Sequence, residues 1–186
     1  GKIDSKRPKW LHNGKKKNWV YPLFTKDEMG EYFVRDAILK TKEVIIVESI
    51  GDMLALASRG IYNVLVAFGL SISEAMICKL IELEPQNILI SFNNDSAKEF
   101  NSGRNAAIEN FLKLLPYFDP QNVSVMLPTK GDFGEMDDAD FKKWLDKKKM
   151  FDYEAQRQYI CEHCEEMIAD GWINKKSQKY LKYLGC

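Results

Sequence analysis

Histidine is almost missing from this chain, two residues in 186, and cysteine is held to four. So little imidazole and thiolate argues against a zinc centre; a metal here would rest on carboxylate and amide oxygens, the donors suited to Mg²⁺ or Mn²⁺. The four cysteines (Cys78, Cys161, Cys164, Cys186) are scattered. There is no secretory leader and no apolar run of membrane-spanning length, so a reduced, cytoplasmic setting without membrane is expected. Internal repeats and low-complexity segments are also lacking. Position 1 is Gly rather than Met, as in a piece of a longer chain.

Net charge is missing too, since Lys and Arg number 27 and Asp and Glu number 27. The total names no partner, but the distribution is uneven. Residues 1–17 hold Lys2, Lys6, Arg7, Lys9, Lys15, Lys16 and Lys17 against the single acid Asp4, while residues 132–140 hold Asp132, Glu135, Asp137, Asp138 and Asp140. A basic arm and an acidic pocket suit a polyanion held near a divalent metal. A solvated arm and a charged helix start would look the same.

What the chain does contain is a run of β-branched residues, Val44 to Val47, leading into Glu48 and then Gly51-Asp52. Such a run reads as a strand buried on both faces, with Glu48 at its carboxyl end, where open α/β sheets place ligands. A strand-terminal carboxylate turned to solvent is the plainer alternative. Further strands are predicted over 63–68, 87–92 and 123–127. Helices are predicted from a Thr25 cap to Lys42, over Met53 to Ala57, from Ser71 or Ser73 to Pro85, and over Ala106 to Leu115. Strands alternating with helices make a mainly parallel four-stranded α/β sheet with right-handed crossovers. The basic, aromatic segment 1–42, containing Trp10, Trp19, Tyr21 and Phe24, precedes the α/β unit 43–137, and a helical annex follows over 138–186. Interleaved rings and cations suit a nucleic-acid track, or simply aromatics packed on a core.

In a parallel sheet the strand ends share one edge. Glu48, Asp95, Asp132 and Glu135 therefore converge there, and converging carboxylates are best reconciled by a divalent cation. Such a site suits phosphoryl chemistry on nucleotides. Cys161-Glu162-His163-Cys164 is a weak zinc signal, with one CxxC, a helical setting and no second pair; packed thiols are expected instead.

The sequence VESIGDMLAL, then ISFNNDS, GRNAA and LPTKGDFGE, resembles the toprim domain of DNA primases, and PKWLHNG with YPLFTKDEMG resembles a primase stretch upstream of it. The resemblance covers about residues 8–137, and the acidic loop is most similar to that of bacteriophage primases. It places Glu48 on the toprim glutamate, acid/base or metal-binding in that family. Asp52, Asp95 and Asp132 fall on its further acids, and Glu135 on a Glu found in phage primases. Lys9 and Lys26 fall on basic positions that hold phosphates. With Arg104 of the GRNAA element, the arm residues Lys6, Arg7, Lys9, Lys15, Lys16 and Lys17 form the expected nucleic-acid contacts.

Three departures stand out. Asn93 replaces the first acid of the Asp-x-Asp pair, Ser49 replaces a Gly, and extra residues around 98–102 precede Gly103-Arg104. Asn93 remains an oxygen donor, but a neutral one. The resemblance implies Mg²⁺- or Mn²⁺-dependent synthesis of RNA primers from ribonucleoside triphosphates on a single-stranded DNA template. It further implies a replicative helicase and a separate zinc-binding module as partners, in the cytoplasm of a bacterial host if viral. No zinc-ribbon cysteines and no P-loop occur in this sequence. Another toprim enzyme, a nuclease or topoisomerase-like strand cleaver, and a non-catalytic nucleic-acid-binding module stay open as alternatives.

Overall fold

The computed structural model describes residues 18–96 and 101–186. Four strands form one sheet: β1 (Glu43–Val47), β2 (Val64–Val66), β3 (Asn87–Ser91) and β4 (Val123–Val125), in the order β2-β1-β3-β4 with every pairing parallel. Around them lie α1 (Phe33–Thr41), α2 (Ile50–Ala57), α3 (Glu74–Leu83), α4 (Ser102–Leu114), α5 (Asp138–Lys149), α6 (Tyr153–Ala169) and α7 (Lys175–Gln178).

The sheet is covered on both faces because alternate strand residues point opposite ways. Val44, Ile46, Leu65, Ile88 and Ile90 enter one core with Val34 and Ile38 of α1, Met76 and Leu80 of α3, and Phe111 of α4; Ile160, Cys164 and Met167 of α6 join them. Ile45, Val47, Val64, Val66 and Leu89 enter the other with Leu56 of α2, Phe133, Phe141 and Trp144. Each fully buried aliphatic side chain contributes roughly 1.5–3 kcal/mol. The continuous apolar run in β1 is thus explained by burial on two sides.

The edge of β4 is closed by a side chain. Gln156 of α6 accepts from Val125 N at 2.7 Å and donates to Val123 O at 3.1 Å, doing for the edge what a neighbouring strand would do. On the opposite edge, Tyr21 makes an antiparallel bridge to Val66.

Two expectations are corrected. No helix starts at Thr25, because Asp27 Oδ1 accepts from Met29 N and Glu31 N, both at 2.9 Å. That side-chain turn competes with a helical one, and α1 begins only at Phe33. The second concerns the thiols. Cys161 is bonded to Cys186 (S–S 2.00 Å), while Cys164 stays a buried free thiol. The chain turns through Leu181–Leu184, with Gly185 at φ +76°, and so brings Cα of Cys186 to 5.2 Å from Cα of Cys161. This is ordinary disulfide reach, and no sequence spacing announces it.

Glu109 of α4, 8% exposed, ties α7 to the core. Its carboxylate accepts from Ser177 Oγ (2.7 Å) and Asn174 N (3.4 Å) and also pairs with Asn174 Nδ2. Burial pushes this carboxyl above its ordinary value, against the lowering pull of Ser177, Lys113 and Asn174. The folded state therefore keeps a proton that the unfolded chain has already lost, and stability drains as pH rises from about 4.5 through the raised value. Glu109→Gln keeps acceptors for Ser177 and Asn174 but cannot titrate. Its urea midpoint should lose this downward slope relative to the parent; parallel midpoint-versus-pH curves would refute the assignment.

Candidate active site

Strand order reverses between β1 and β3, so the crevice beyond their carboxyl ends is a topological switch point, the usual ligand position in such sheets. Glu48 follows β1, Asn93-Asn94-Asp95 follow β3, and the loop 128–136 follows β4.

Glu48 is half-buried, and its carbonyl accepts from Gly69 N (3.1 Å). Ser49 then caps α2. Its hydroxyl accepts from Asp52 N (3.3 Å) and donates to Asp52 Oδ2 (2.7 Å), which also accepts from Ser49 N (3.1 Å). This reciprocal box accounts for Ser where the resembling family has Gly. Asp52 Oδ1 accepts from Phe133 N at 3.1 Å, so this carboxylate, 1% exposed, ties α2 to the acidic loop. Burial pushes its carboxyl up, Ser49 and Phe133 hold it down, and the charge of Asp132 raises it further.

After β3, Asn94 is the joint between two loops. Its N–H donates to Gly131 O (2.6 Å) and its Nδ2 to Pro128 O (2.9 Å), while its Oδ1 accepts from Asn101 Nδ2 (3.1 Å). Sequence reasoning passed over Asn94; the signal available was three polar residues in a row straight after a buried strand. Asp95 Oδ2 accepts from Ser102 Oγ (2.5 Å), and Asp95 N donates to Asn101 Oδ1 (3.2 Å). Both ties fix Asp95 to the first turn of α4. Asn93 Oδ1 is buried with no hydrogen-bond partner among the described residues. In the acidic loop, Asp132 Oδ1 accepts from Glu135 N (3.0 Å), and the exposed Glu135 folds its carboxylate over Gly131.

The predicted site residues are thus dispersed along one edge. Glu48, Asn93, Asp95, Asp132 and Glu135 lie on loops at the carboxyl ends of β1, β3 and β4; Asp52 sits behind them, in the loop anchorage. Lys26 is exposed, its Nζ 5.0 Å from the Tyr32 ring centroid. Arg104 is exposed at the start of α4, its guanidinium 5.5 Å over the Tyr159 ring. Lys6, Arg7, Lys9, Lys15, Lys16 and Lys17 lie outside the described residues, as do 97–100, where the extra residues before Gly103 begin. The donors at the edge are all oxygens and Asn93 Oδ1 has no partner among the described residues, which suits a hard divalent cation. Among the described residues, however, no group of three or more His, Cys, Asp or Glu side chains is gathered closely enough to hold an ion.

No family model matches the chain. A DNA primase of Pseudomonas aeruginosa is 33% identical over 112 residues, which is 59% of this chain and 15% of that protein. A crystal structure of a DNA primase domain from Pseudomonas aeruginosa aligns with a TM-score of 0.58 at 27% identity, over 78% of this chain and 44% of that one. The chain therefore spans a minor part of each of these relatives. The structure of the DnaG catalytic core gives a TM-score of 0.57 at 19% identity over 97% of this chain and 63% of that one, a likeness of fold. The zinc-binding and RNA polymerase domains of the Aquifex aeolicus primase give 0.54 at 20% identity, over 98% of this chain and 45% of that one. The chain thus resembles DNA primases twice over, in sequence across a 112-residue stretch and in the fold of a doubly covered parallel sheet with polar loops beside its switch point.

Proposed function

We propose that this chain is the toprim-bearing part of a DNA primase of bacteriophage type, joining ribonucleoside triphosphates into RNA primers on single-stranded DNA. The observation that supports the reading is the placement of Glu48, Asn93 to Asp95 and the Asp132–Glu135 loop on the loops that follow β1, β3 and β4, along the carboxyl edge that holds the β1/β3 switch point. The 33% identity to a DNA primase supports it.

In this reading Glu48 takes the proton of the attacking 3′-hydroxyl. Asp95, tied to Ser102, is one of the metal-holding acids, and Lys9 and Lys26 hold phosphates. Asp52 is a positioning residue, keeping the Asp132 loop against α2 through Phe133 N. Glu48, Asn93, Asp95, Asp132 and Glu135 are the oxygen donors that would hold Mg²⁺ or Mn²⁺; when bound, the ion supplies charge neutralisation at the phosphate. The single-stranded template lies along the arm 1–17 and Arg104. A helicase and a zinc-binding module are its further partners.

Incubating the chain with template, ribonucleotides and Mg²⁺ or Mn²⁺ tests this. Short RNA supports it; cut DNA, or a bound complex without product, replaces it with strand cleavage or with a binding module. Asn93→Asp restores the second charge of the acidic pair and should lower the Mg²⁺ needed for half-maximal activity by about tenfold, equivalent to about 1.4 kcal/mol. Glu135→Gln should move that midpoint the other way. If neither variant shifts the titration, the ion sits elsewhere.

Replacing Lys15, Lys16 and Lys17 together should weaken single-stranded DNA binding. Its log–log salt slope should flatten by roughly 0.7 for each phosphate that is no longer neutralised. An unmoved slope would show these lysines to be merely solvated.

A further inference from the structure

Beside the candidate active site, with which it shares Asn94 and Arg104, lies a cavity of about 360 Å³ between the end of β4, the start of α4, and helices α5 and α6. Its floor is apolar, formed by Ile108, Val125, Leu127 and Ile160. Among the described residues its charged lining is Arg104 and Lys147, with no acid. A neighbouring cavity shares Thr129 and Lys147 but carries Asp140 and Asp146, so the purely positive lining distinguishes the first from the second.

The wall is fixed by contacts already made. Gln156 is locked onto the backbone of Val123 and Val125. Tyr159, three residues along the same helix face, is stacked on His163 with centroids 4.2 Å apart. The His163 Nδ1 lies 2.8 Å from Tyr159 O, so this nitrogen carries the proton and donates. Arg104 rests on Tyr159, with Nη1 3.4 Å from its hydroxyl. A guanidinium steadied in this way and still exposed is prepared to receive a phosphate in its fork.

We infer that this cavity is a nucleotide seat, holding the base of a ribonucleoside triphosphate on its apolar floor and its phosphates on Lys147 and on Arg104, which it thereby gives to the nucleotide instead of the template; the inference otherwise rests on the primase reading above. Three features select a free nucleotide. The volume is at the small end of ligand pockets, about 300–1,000 Å³, with room for one nucleotide rather than a length of strand. An apolar floor beneath two cations matches a base joined to phosphates. Asn94 also lines the cavity and is the chain neighbour of Asn93 and Asp95, which puts the seat next to the acidic edge.

The test is photolabelling of the full chain by 8-azido-ATP in EDTA, so that binding at the acidic edge through metal is suppressed, with the labelled peptides mapped by mass spectrometry. Label should fall within 123–129 or 153–160 and be displaced by ATP. Lys147→Glu and Tyr159→Ala should each weaken labelling by roughly tenfold, the value of one charge-assisted hydrogen bond. The charge control Lys176→Glu should leave it unchanged. Circular dichroism melts identify any variant that fails to fold, and Lys147 is exposed, so its variant decides the matter if the tyrosine variant unfolds. Label confined to other segments, no label, equal labelling of the Lys147 variant, or displacement by oligothymidylate but not by ATP would each overturn the seat. Primer synthesis by the parent chain is scored separately. An active chain labelled elsewhere fails this inference alone, and an inactive chain labelled here fails the primase reading alone.

Discussion

Asp95→Ala and Asp95→Asn should both abolish primer synthesis while the fold survives. The carboxylate is half-buried on a loop, and it is tied to α4 by the hydrogen bond from Ser102 Oγ at 2.5 Å. Losing one such bond costs about 0.5–1.5 kcal/mol, a fraction of the stability of a domain this size. The Asn variant keeps an acceptor for Ser102 and removes only the charge. If Asp95 serves by its negative charge at a bound cation, several kcal/mol of transition-state stabilisation disappear in both variants. That corresponds to at least about a hundredfold in rate. If it serves only to start α4, the Asn variant should be nearly normal. Primer yield against template, read beside a thermal melt, separates the two; an active Asp95→Asn enzyme would remove this residue from the site.

Gly103→Ala should be the most damaging single methyl among the described glycines. A Cβ built there would lie 1.8 Å from Asn93 O and 2.9 Å from Asn93 C. These are backbone atoms and cannot rotate aside, so α4 must back away from the loop that carries Asn93, Asn94 and Asp95. Overpacking of this kind costs about 1–3 kcal/mol, and here it also displaces Asp95. Both the urea midpoint and primer synthesis should fall. Gly131→Ala is the comparison, since its Cβ would meet only the end of the Glu135 side chain, at 2.0 Å. That chain is exposed and swings away, so stability should change by less than about 0.5 kcal/mol. Equal losses at the two glycines would mean that the approach of α4 to β3 is looser than described.

The glycine of GRNAA thus has a physical reason that its sequence context only hinted at: the first turn of α4 must touch the backbone of the β3 exit loop. The same approach explains how Asn101, Ser102 and Asp95 come to share hydrogen bonds across the segment 97–100. Ser49 is a similar case. It departs from the resembling family, and in the fold it completes a capping box with Asp52 just after Glu48 at the end of β1.

Much of the architecture could be read from local pattern. Unbroken β-branched runs needed burial on both faces, and their alternation with amphipathic helices dictated parallel strands, which places every strand end on one edge. From that alone Glu48, Asp95, Asp132 and Glu135 belonged together. Tertiary structure decided what each of them does there. Asp52 looks like one more edge acid, yet both its oxygens are drawn inward by Ser49 and Phe133, a partner 81 positions away. Thr25 has the composition of a helix cap, but Asp27 commits its side chain to a turn first. Cys161 and Cys186 meet because the last turn folds back over α6, and the nucleotide-sized cavity exists because Gln156 closes β4 beside Tyr159 and Arg104. Hydrophobic periodicity repeats over a few residues and so is written in the local sequence; a hydrogen bond or a cavity wall depends on where distant segments come to rest, and only the packed chain sets that.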